Sequence, residues 1–504
     1  MLPAIKLRRV VFMLLIAMAL RISYTCSAAG LRRPPMNRSN AGSRRQFMGR
    51  VAGMGAAAAS ARGSRAAATS HPNIVYLHSH DSGRYLQPYG QPVPTPNLQK
   101  LASEGILFRQ AFSAAPTCSP SRASLLTGQC AHQNGMLGLA HRGFSMADYS
   151  RHMLHTLRKA GYHSVLAGLQ HIASAPEKIG FDELLRPRNT QAATVAPLAV
   201  EFLNRRRVQP FFLDVGFFET HREYPAPTPA DDPRYLQPPV ALPNTPQTRR
   251  DMAGFRASAR QLDHGVGLVL DTLERSGLAA NTLVISTTDH GIAFPRMKCS
   301  LTDTGWGVSL IMRGPGLFRG GKVCDAMISQ LDVFPTLCEV LEIEKPAWLE
   351  GRSMLPVLRG EKKELNDEVF AEVNYHASYE PVRAVRTQRF KYIKRFAGRT
   401  TPVLPNCDDS PSKDLWLEYG WRQREVVQEE LYDLIFDPAE QNNLCAGANP
   451  TPALREMRGR MERWMARTND PLLKGSVAAP PGAKVNPVDG VSPKEAVVDA
   501  SQKQ

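Results

Sequence analysis

The stretch NIVYLHSHD, residues 73–81, and its counterpart TLVISTTDH, residues 282–290, decide the fold predicted for this chain. Each begins with a short apolar run rich in β-branched residues, which predicts a buried strand, and each ends in polar residues. Helical patterns alternate with further apolar strands, and this alternation predicts an α/β fold with a mostly parallel sheet covered on both faces. Because chemistry in such sheets lies beyond the carboxyl ends of the strands, Asp81 and Asp289 are expected to converge.

The patterns outside these two stretches predict the domain organisation. Strand-like and helical runs alternate up to about residue 350, and a change of pattern near residues 348–363 leads into further strand-like runs and a last helix. The final residues are rich in Pro, Gly, Ala and Lys. We therefore expect a catalytic domain over 71–350, a smaller C-terminal α+β domain over 351–470 and a disordered tail over 471–504. The predicted strands are 106–111, around Val165, 211–215, 308–312, 368–374, 383–396 and 430–434, and the predicted helices are 95–104, the segment after Cys118, 146–160, 192–206, 248–276 and 451–467.

Residues 1–70 form a basic leader. They hold twelve basic residues and no acidic ones, so the rest of the chain carries only +4 of the formal net charge of +16 and gives no reason to expect nucleic-acid binding. The apolar run 10–20 is short for a membrane span. Residues 43–48, SRRQFM, precede a weakly apolar stretch and small residues, an order that resembles a twin-arginine export signal. We expect an exported protein, periplasmic or secreted, with the export machinery as a partner.

The segment CSPSRASLLTG, residues 118–128, places a cysteine at the predicted start of a helix. Free backbone N–H groups and the helix dipole at that end favour an anion. Pro120 suits the first helical turn, and Arg122 adds a forked cation that fits a tetrahedral oxyanion. These residues predict an anion-binding site with a reactive side chain at Cys118.

This segment also resembles the signature C-x-P-S-R-x-x-x-L-T-G of the type I sulfatases. The resemblance implies an alkaline-phosphatase-like fold and the oxidation of Cys118 to formylglycine by a formylglycine-generating enzyme. In the family, one hydroxyl of the hydrated aldehyde attacks sulfur and the other later expels sulfate. The resemblance extends over roughly residues 72–472 and favours the heparan N-sulfatase (sulfamidase) branch, on the segments HQNGM at 132–136, IAFP at 292–295 and LYDL at 431–434, with DP at 437–438 and NL at 443–444.

The resemblance implies one divalent metal, calcium in most of the family, and a ligand set that departs from the family in two places. The metal candidates are Asp81, Asp289, His290 and the side chain made from Cys118, with His80 as a further candidate. The family usually has Asp-Asp after the first strand and Asp-Asn-Gly after the late one, where this chain has His80-Asp81 and Asp289-His290. Because calcium prefers oxygen ligands and imidazole suits manganese, zinc or iron, calcium and a transition metal both stay open.

Three more positions match family motifs that surround the sulfate. His171 lies in AGLQH, residues 167–171, where the usual lysine is replaced by Leu169. His221, in ETHR at 219–222, matches the family residue that would protonate the leaving group. Lys298 matches the cation that follows the late metal pair. With Cys118 and Arg122, these three form the predicted catalytic set.

Three functions stay open at this point. The first is a sulfatase that acts on sulfate esters or sulfamates of a sulfated saccharide. The second is a phosphodiester or phosphonate monoester hydrolase of the same superfamily, which the Asp289-His290 pair favours. The third is an inactive protein that binds sulfated glycans, which the missing lysine and the altered ligands favour.

Overall fold

The computed structural model describes residues 71–205, 210–445 and 450–501. Their main feature is a nine-stranded sheet in the order β4-β3-β5-β1-β6-β8-β2-β7, with β9 also paired to β2. Central strand β1 is fully buried. The strands of this sheet are β1 (Asn73–Ser79), β2 (Ile106–Phe112), β3 (His163–Gly168), β4 (Glu183–Leu185), β5 (Phe211–Gly216), β6 (Thr282–Thr288), β7 (Gly307–Val308), β8 (Leu310–Arg313) and β9 (Lys322–Ser329).

The sheet is mixed but mostly parallel, as predicted. Strand β1 pairs in parallel with β5 and β6, and β3 pairs in parallel with β4 and β5. The strand predicted over 308–312 is instead two short strands, β7 and β8, which pair antiparallel to β2. Strand β9 follows them and was not predicted, since its first residues are charged and exposed.

Alternate residues of β1 enter two different hydrophobic cores, because successive side chains of a strand point to opposite faces. Ile74 and Tyr76 pack on the face covered by the helix Cys118–Thr127, and Val75 and Leu77 pack on the other face. The helices are α1 (Pro96–Glu104), α2 (Cys118–Thr127), α3 (Ala131–Asn134), α4 (Met153–Lys159), α5 (Ala192–Asn204), α6 (Pro246–Arg275), α7 (Asp303–Trp306), α8 (Val333–Val340), α9 (Leu355–Leu358), α10 (Pro411–Glu418) and α11 (Pro452–Arg467).

The helix predicted over 146–160 is shorter than expected. Only Met153–Lys159 is α-helical, and the residues before it form a 3₁₀ turn, Tyr149–Arg151, capped by the Asp148 side chain. Met146 is buried in the core before that turn begins. The apolar spacing of this segment therefore reflects two separate burial sites rather than one helix face.

The C-terminal region forms a second sheet, which is antiparallel and has the order β10-β11-β12-β13. Helix α11 packs on it through residues that include Trp464. The single strand predicted over 383–396 is the hairpin of β11 and β12, whose turn at residues 387–389 carries no Gly or Pro signal. These strands are β10 (Val369–Tyr375), β11 (Tyr379–Arg386), β12 (Phe390–Arg395) and β13 (Glu429–Asp433).

The prediction of a disordered tail over 471–504 is wrong for residues 471–501. Strands β14 (Lys484–Val485) and β15 (Val498–Asp499) pair with each other, and Val477 and Val485 are buried in the main core. The composition of this segment was misleading, because a few apolar residues are enough to order a segment that packs on an existing core.

The described residues form one compact unit, so the boundary predicted near residue 350 separates two sheets of that unit. The predicted export leader, residues 1–70, lies outside the described residues. Among the described helices, none combines the length and the apolar character needed to span a membrane.

Candidate active site

The ends of β1 and β6 bring the two predicted metal segments together. Ser79 pairs with Thr288 in the parallel register, so the residues that follow them emerge side by side. The two loops then touch backbone to backbone, because a Cβ atom on Gly83 would lie 3.0 Å from the Cα atom of Gly291. Asp81 adopts a left-handed backbone (φ +48°), a costly conformation of the kind that concentrates at functional sites.

Cys118 lies at the start of the signature helix, which we define as α2, residues 118–127. Every residue of this helix is buried, and the helix ends at Gly128, whose left-handed backbone (φ +68°) closes the last turn. The Cys118 Sγ atom lies 3.4 Å from His290 Nε2. The Ser121 hydroxyl donates to the Asp289 carbonyl at 2.6 Å, which ties the helix to the end of β6.

Arg122 joins the signature helix to both metal segments. Its guanidinium bonds to the Asp289 carboxylate at 2.9 Å and to the Ser79 carbonyl at 2.8 Å. It also contacts His78 Nδ1, and the other ring nitrogen of His78 lies 2.8 Å from the Asp214 carboxylate. Two nitrogens of the forked side chain thus place the metal segments against the helix, and its Nε atom is buried without a hydrogen-bond partner.

His80, Asp81, Cys118 and Asp289 form a buried group whose donor atoms lie within 4.8 Å of one another. His80 Nδ1 is 3.0 Å from Asp289 Oδ2, and His290 Nε2 is 3.3 Å from Asp81 Oδ1. Despite these short distances, His80 Nδ1 and Asp81 Oδ1 are buried without a partner in hydrogen-bond geometry. Because buried polar atoms are normally satisfied, these unpartnered atoms fit a bound cation. We call these four residues with His290 the catalytic cluster.

Lys298 lies at the outer side of the catalytic cluster. Its ammonium bonds to the Asp81 and Asp408 carboxylates, each at 2.9 Å, and lies 3.2 Å from His221 Nε2. His221 is partly exposed, and its Nδ1 atom lies 2.6 Å from the Arg222 carbonyl oxygen. The structure thus brings Lys298 and His221 together on the solvent side of Asp81.

His171 lies beside His80 and Cys118, and the donor atoms of these three residues are within 4.8 Å of one another. Its Nε2 atom lies 2.9 Å from His141 Nδ1, and its ring centroid lies 5.4 Å from that of His80. It also adopts a left-handed backbone, with φ +55°. All nine predicted site residues therefore lie around one centre.

Opposite charges hold both aspartates of the catalytic cluster ionised. Burial alone would raise the pKa of Asp81, but Lys298, His221 and His290 outweigh it and hold the pKa well below its usual range. Burial likewise opposes ionisation of Asp289, and His290, Arg122 and His80 lower its pKa well below the usual value. Ionised carboxylates are the form that binds a metal.

The pKa values of His80 and Cys118 are both shifted in the direction that favours the uncharged side chain. Burial, and then Arg122, lower the pKa of His80. Burial raises the pKa of Cys118 well above its usual range, and the adjacent aspartates add to the shift. The unmodified residue is therefore a neutral thiol, which is a weak nucleophile.

Four residues at or beside the site were not predicted: His141, His376, Asp408 and the His78 partner Asp214. His376 Nδ1 and Asp408 Oδ2 are buried without a hydrogen-bond partner, although Asp408 pairs with Lys298. Burial and Lys298 lower the pKa of His376 well below its usual range. His376 and Asp408 come from the region of the second sheet, far along the chain from the signature. In the sequence, the pair Asp408-Asp409 has the appearance of an ordinary polar loop.

Comparisons with known proteins agree with this site. Residues 72–343 match the family described as Sulfatase, and residues 297–412 match the family described as N-sulphoglucosamine sulphohydrolase, C-terminal. The chain is 32% identical to N-sulphoglucosamine sulphohydrolase of Homo sapiens over 475 residues, covering 81% of this chain and 92% of the relative. It is 27% identical to an ulvan-active sulfatase of Formosa agariphila, covering 79% and 75%.

The fold has close counterparts among solved structures. A protein solved in complex with its substrate D-glucosamine-2-N,6-O-disulfate gives a TM-score of 0.63 at 19% identity, and the match covers 79% of this chain and 98% of that one. This likeness confirms the alkaline-phosphatase-like architecture. The family match covers residues 72–343, and the similarity to the human relative extends over most of both chains. Together they identify the chain as a member of the sulfatase family, and hence as a sulfuric ester hydrolase.

Proposed function

We propose that this chain hydrolyses sulfate esters or sulfamates of a sulfated saccharide through a formylglycine made from Cys118. One observation carries the proposal. The residue-118 side chain lies at the start of the signature helix, against the catalytic cluster and its unpartnered donor atoms. The contact places the nucleophile beside the groups that can hold a cation and a sulfate at once.

Each residue has a role that follows from its contacts. Arg122 and Lys298 supply positive charge for the sulfate oxygens, and both are anchored by carboxylates that fix their position. His221, partly exposed beside Lys298, can give a proton to the departing sugar oxygen or nitrogen. His141, exposed beside His171, lies at the rim, where the saccharide would enter.

A divalent metal fits the catalytic cluster. When bound, it would polarise the sulfate and lower the pKa of the attacking hydroxyl. Asp81, Asp289, His80 and His290 would hold it with the side chain made from Cys118. Two imidazoles within this set favour a transition metal such as Mn²⁺ over Ca²⁺, which prefers oxygen ligands throughout.

The substrate class comes from the relatives. The human relative is an N-sulphoglucosamine sulphohydrolase, and the bacterial relatives include ulvan-active sulfatases. A sulfated glycan is the shared chemistry of these names. We infer that this chain acts on a sulfated sugar, after export directed by its twin-arginine-like leader.

The proposal is tested by expression with a formylglycine-generating enzyme, followed by mass measurement of the peptide that contains Cys118. We expect conversion to the aldehyde and hydrolysis of a sulfate ester or a glucosamine N-sulfate. The Cys118→Ala variant should lose all hydrolysis. Cys338→Ala, which removes another buried thiol in α8, should keep it.

A second assay separates the two hydrolase functions. The same preparation is given a phosphonate monoester and a phosphodiester with the same leaving group as the sulfate ester. Faster turnover of the phosphorus substrates would favour the phosphonate hydrolase that the Asp289-His290 pair suggests. An intact thiol at Cys118 in fully active protein would overturn the formylglycine mechanism.

A further inference from the structure

The segment Asn486–Glu495, which we call the strap, crosses the surface beside the active site. Its ends are tied together, since the Asn486 side-chain amide donates to the Glu495 carbonyl at 2.8 Å. Asn486 itself is completely buried. The strap therefore has a fixed shape rather than that of a free tail.

The strap holds Arg142, which directly follows the rim residue His141. The Arg142 guanidinium donates to the Asn486 side-chain oxygen at 2.7 Å and to the Pro493 carbonyl at 3.2 Å. It also donates to the Ala377 carbonyl at 3.1 Å. One side chain thus connects the strap with the segments that carry His141 and His376.

The strap also contacts the segment of His376 directly. The Asn486 N–H donates to the Ala377 carbonyl at 2.7 Å, and the Ser378 hydroxyl donates to the Asn486 carbonyl at 2.9 Å. His376 is buried, with its Nδ1 atom unpartnered. The position of His376 therefore depends on the hydrogen bonds that Ala377 and Ser378, the two residues after it, make to the strap.

A third set of contacts lies next to Asp408, the carboxylate that binds Lys298. The Ser492 hydroxyl bonds to the Asp409 carboxylate, next to Asp408, which binds Lys298. The Lys413 ammonium donates to the Val491 carbonyl at 2.7 Å and to the Asp409 carboxylate at 3.0 Å.

A fourth contact closes the other side of the site. The Lys494 ammonium pairs with Glu223 at 2.9 Å, two residues after His221. The hydrogen bond to Glu223 and the charge of Glu223 raise the pKa of Lys494.

We propose that the strap is a positioning element of the sulfatase active site, fixing the segments that carry His141, His376 and Asp408. The inference rests on the proposed function, since it concerns the same site. Without the strap, the neighbours of these three residues lose anchors on the solvent side. Small displacements of binding groups have large effects on rate, so the loss should reach turnover even though the strap contains none of the nine predicted site residues.

The test variant is Arg142→Ala, because Arg142 is half-buried and joins the strap to two rim segments. The matched control is Asp489→Ala, which removes a different strap contact, the 2.8 Å pair with Arg399 on the side of the second sheet. We expect Arg142→Ala to lower kcat/KM by about tenfold and Asp489→Ala by less than about twofold, at similar melting temperatures. Arg142→Lys, which keeps one donor for Asn486, should restore part of the loss.

Hydrogen exchange gives a readout that does not depend on activity. In Arg142→Ala, backbone amides of residues 376–378 and of Asn486 should exchange faster than in the wild type, whereas Asp489→Ala should leave them unchanged. Equal kcat/KM for the two alanine variants, or unchanged exchange at 376–378, would overturn the proposal. If the wild type hydrolyses neither sulfate esters nor sulfamates while Arg142→Ala still shows the faster exchange, the proposed function fails and the structural role of the strap stands.

Discussion

Two buried clusters of cysteine, histidine and carboxylate flank the signature helix, one at each end. The catalytic cluster surrounds Cys118 at its start. The second cluster, formed by Cys130, His132, Glu372, Arg383 and Asp470, lies just beyond its last residue. Both contain three or more groups whose atoms are close enough to hold a metal.

The clusters differ in whether their polar atoms have partners. In the second cluster, His132 Nδ1 lies 2.8 Å from Glu372, and Arg383 binds Asp470 through two nitrogens at 2.6 and 2.9 Å. The Arg383 guanidinium supplies the cation, so the carboxylates need no metal. In the catalytic cluster, His80 Nδ1 and Asp81 Oδ1 lie near charged neighbours but have no partner in hydrogen-bond geometry. Both clusters contain cysteine, histidine and carboxylate side chains. What separates the structural network from the reactive site is whether the buried polar atoms have hydrogen-bond partners.

The largest expected effect comes from Asp81→Asn, which removes the charge of one predicted ligand at nearly constant volume. We expect kcat/KM to fall by about 1000-fold, since the cation and Lys298 both lose their counter-charge. The depressed pKa of Asp81 also contributes to folding stability, so the melting temperature should fall as well and activity is compared per folded molecule. Steady-state kinetics beside thermal unfolding checks both statements. An active Asp81→Asn variant would remove Asp81 from the ligand set.

Glu372→Gln makes the matched change in the second cluster and should act on stability. Burial opposes ionisation of Glu372, but His132 and Arg383 hold its pKa at about 2, below the 4.5 of an ordinary glutamate. The shift corresponds to about 3 kcal/mol of folding free energy at neutral pH. Activity per folded molecule should stay within about twofold, because Glu372 contacts His132, Asn374 and Arg383 and not the catalytic cluster.

The stability difference has a defined pH dependence. Because the folded-state pKa of Glu372 is depressed, its contribution is complete above about pH 4.5 and is lost as the pH falls towards 2. Denaturant unfolding of wild type and Glu372→Gln between pH 3 and pH 7 should show the two curves approaching each other as acid is added. A difference that is constant across this range would contradict the assigned ion pair.

His221→Gln should have a smaller effect that depends on the substrate. We expect a loss of about 100-fold for a saccharide with a poor leaving group, and a smaller loss for an activated aryl sulfate, whose leaving group needs no proton. Comparing the two substrates with the same variant measures the acid role. Equal losses on both would assign His221 to binding instead.

Much of the fold follows from local patterns in the chain. The buried strands β1, β5 and β6 are continuous apolar runs, and α6 is a long amphipathic segment, so periodicity alone predicts them. The hairpin β11–β12 was missed because its turn lacks Gly and Pro. The tail was misjudged because its ordering depends on a core built by other segments, which composition does not show.

The site was predictable where it lies close to a motif. Cys118 and Arg122 belong to one helix, and Asp81 and Asp289 end strands that pair in register. Asp408, His376 and His141 were missed because only the packing of the second sheet and the strap brings them to Lys298 and His171. No short spacing in the sequence signals such contacts.

Metal content measured on wild type, Asp81→Asn and Glu372→Gln, each purified without added chelator, tests the contrast between the two clusters most directly. The account predicts about one equivalent of divalent metal per chain in wild type and Glu372→Gln, and a large loss in Asp81→Asn. Metal that persists in Asp81→Asn, or that disappears with Glu372→Gln, would contradict it, because the cation would then lie in the second cluster.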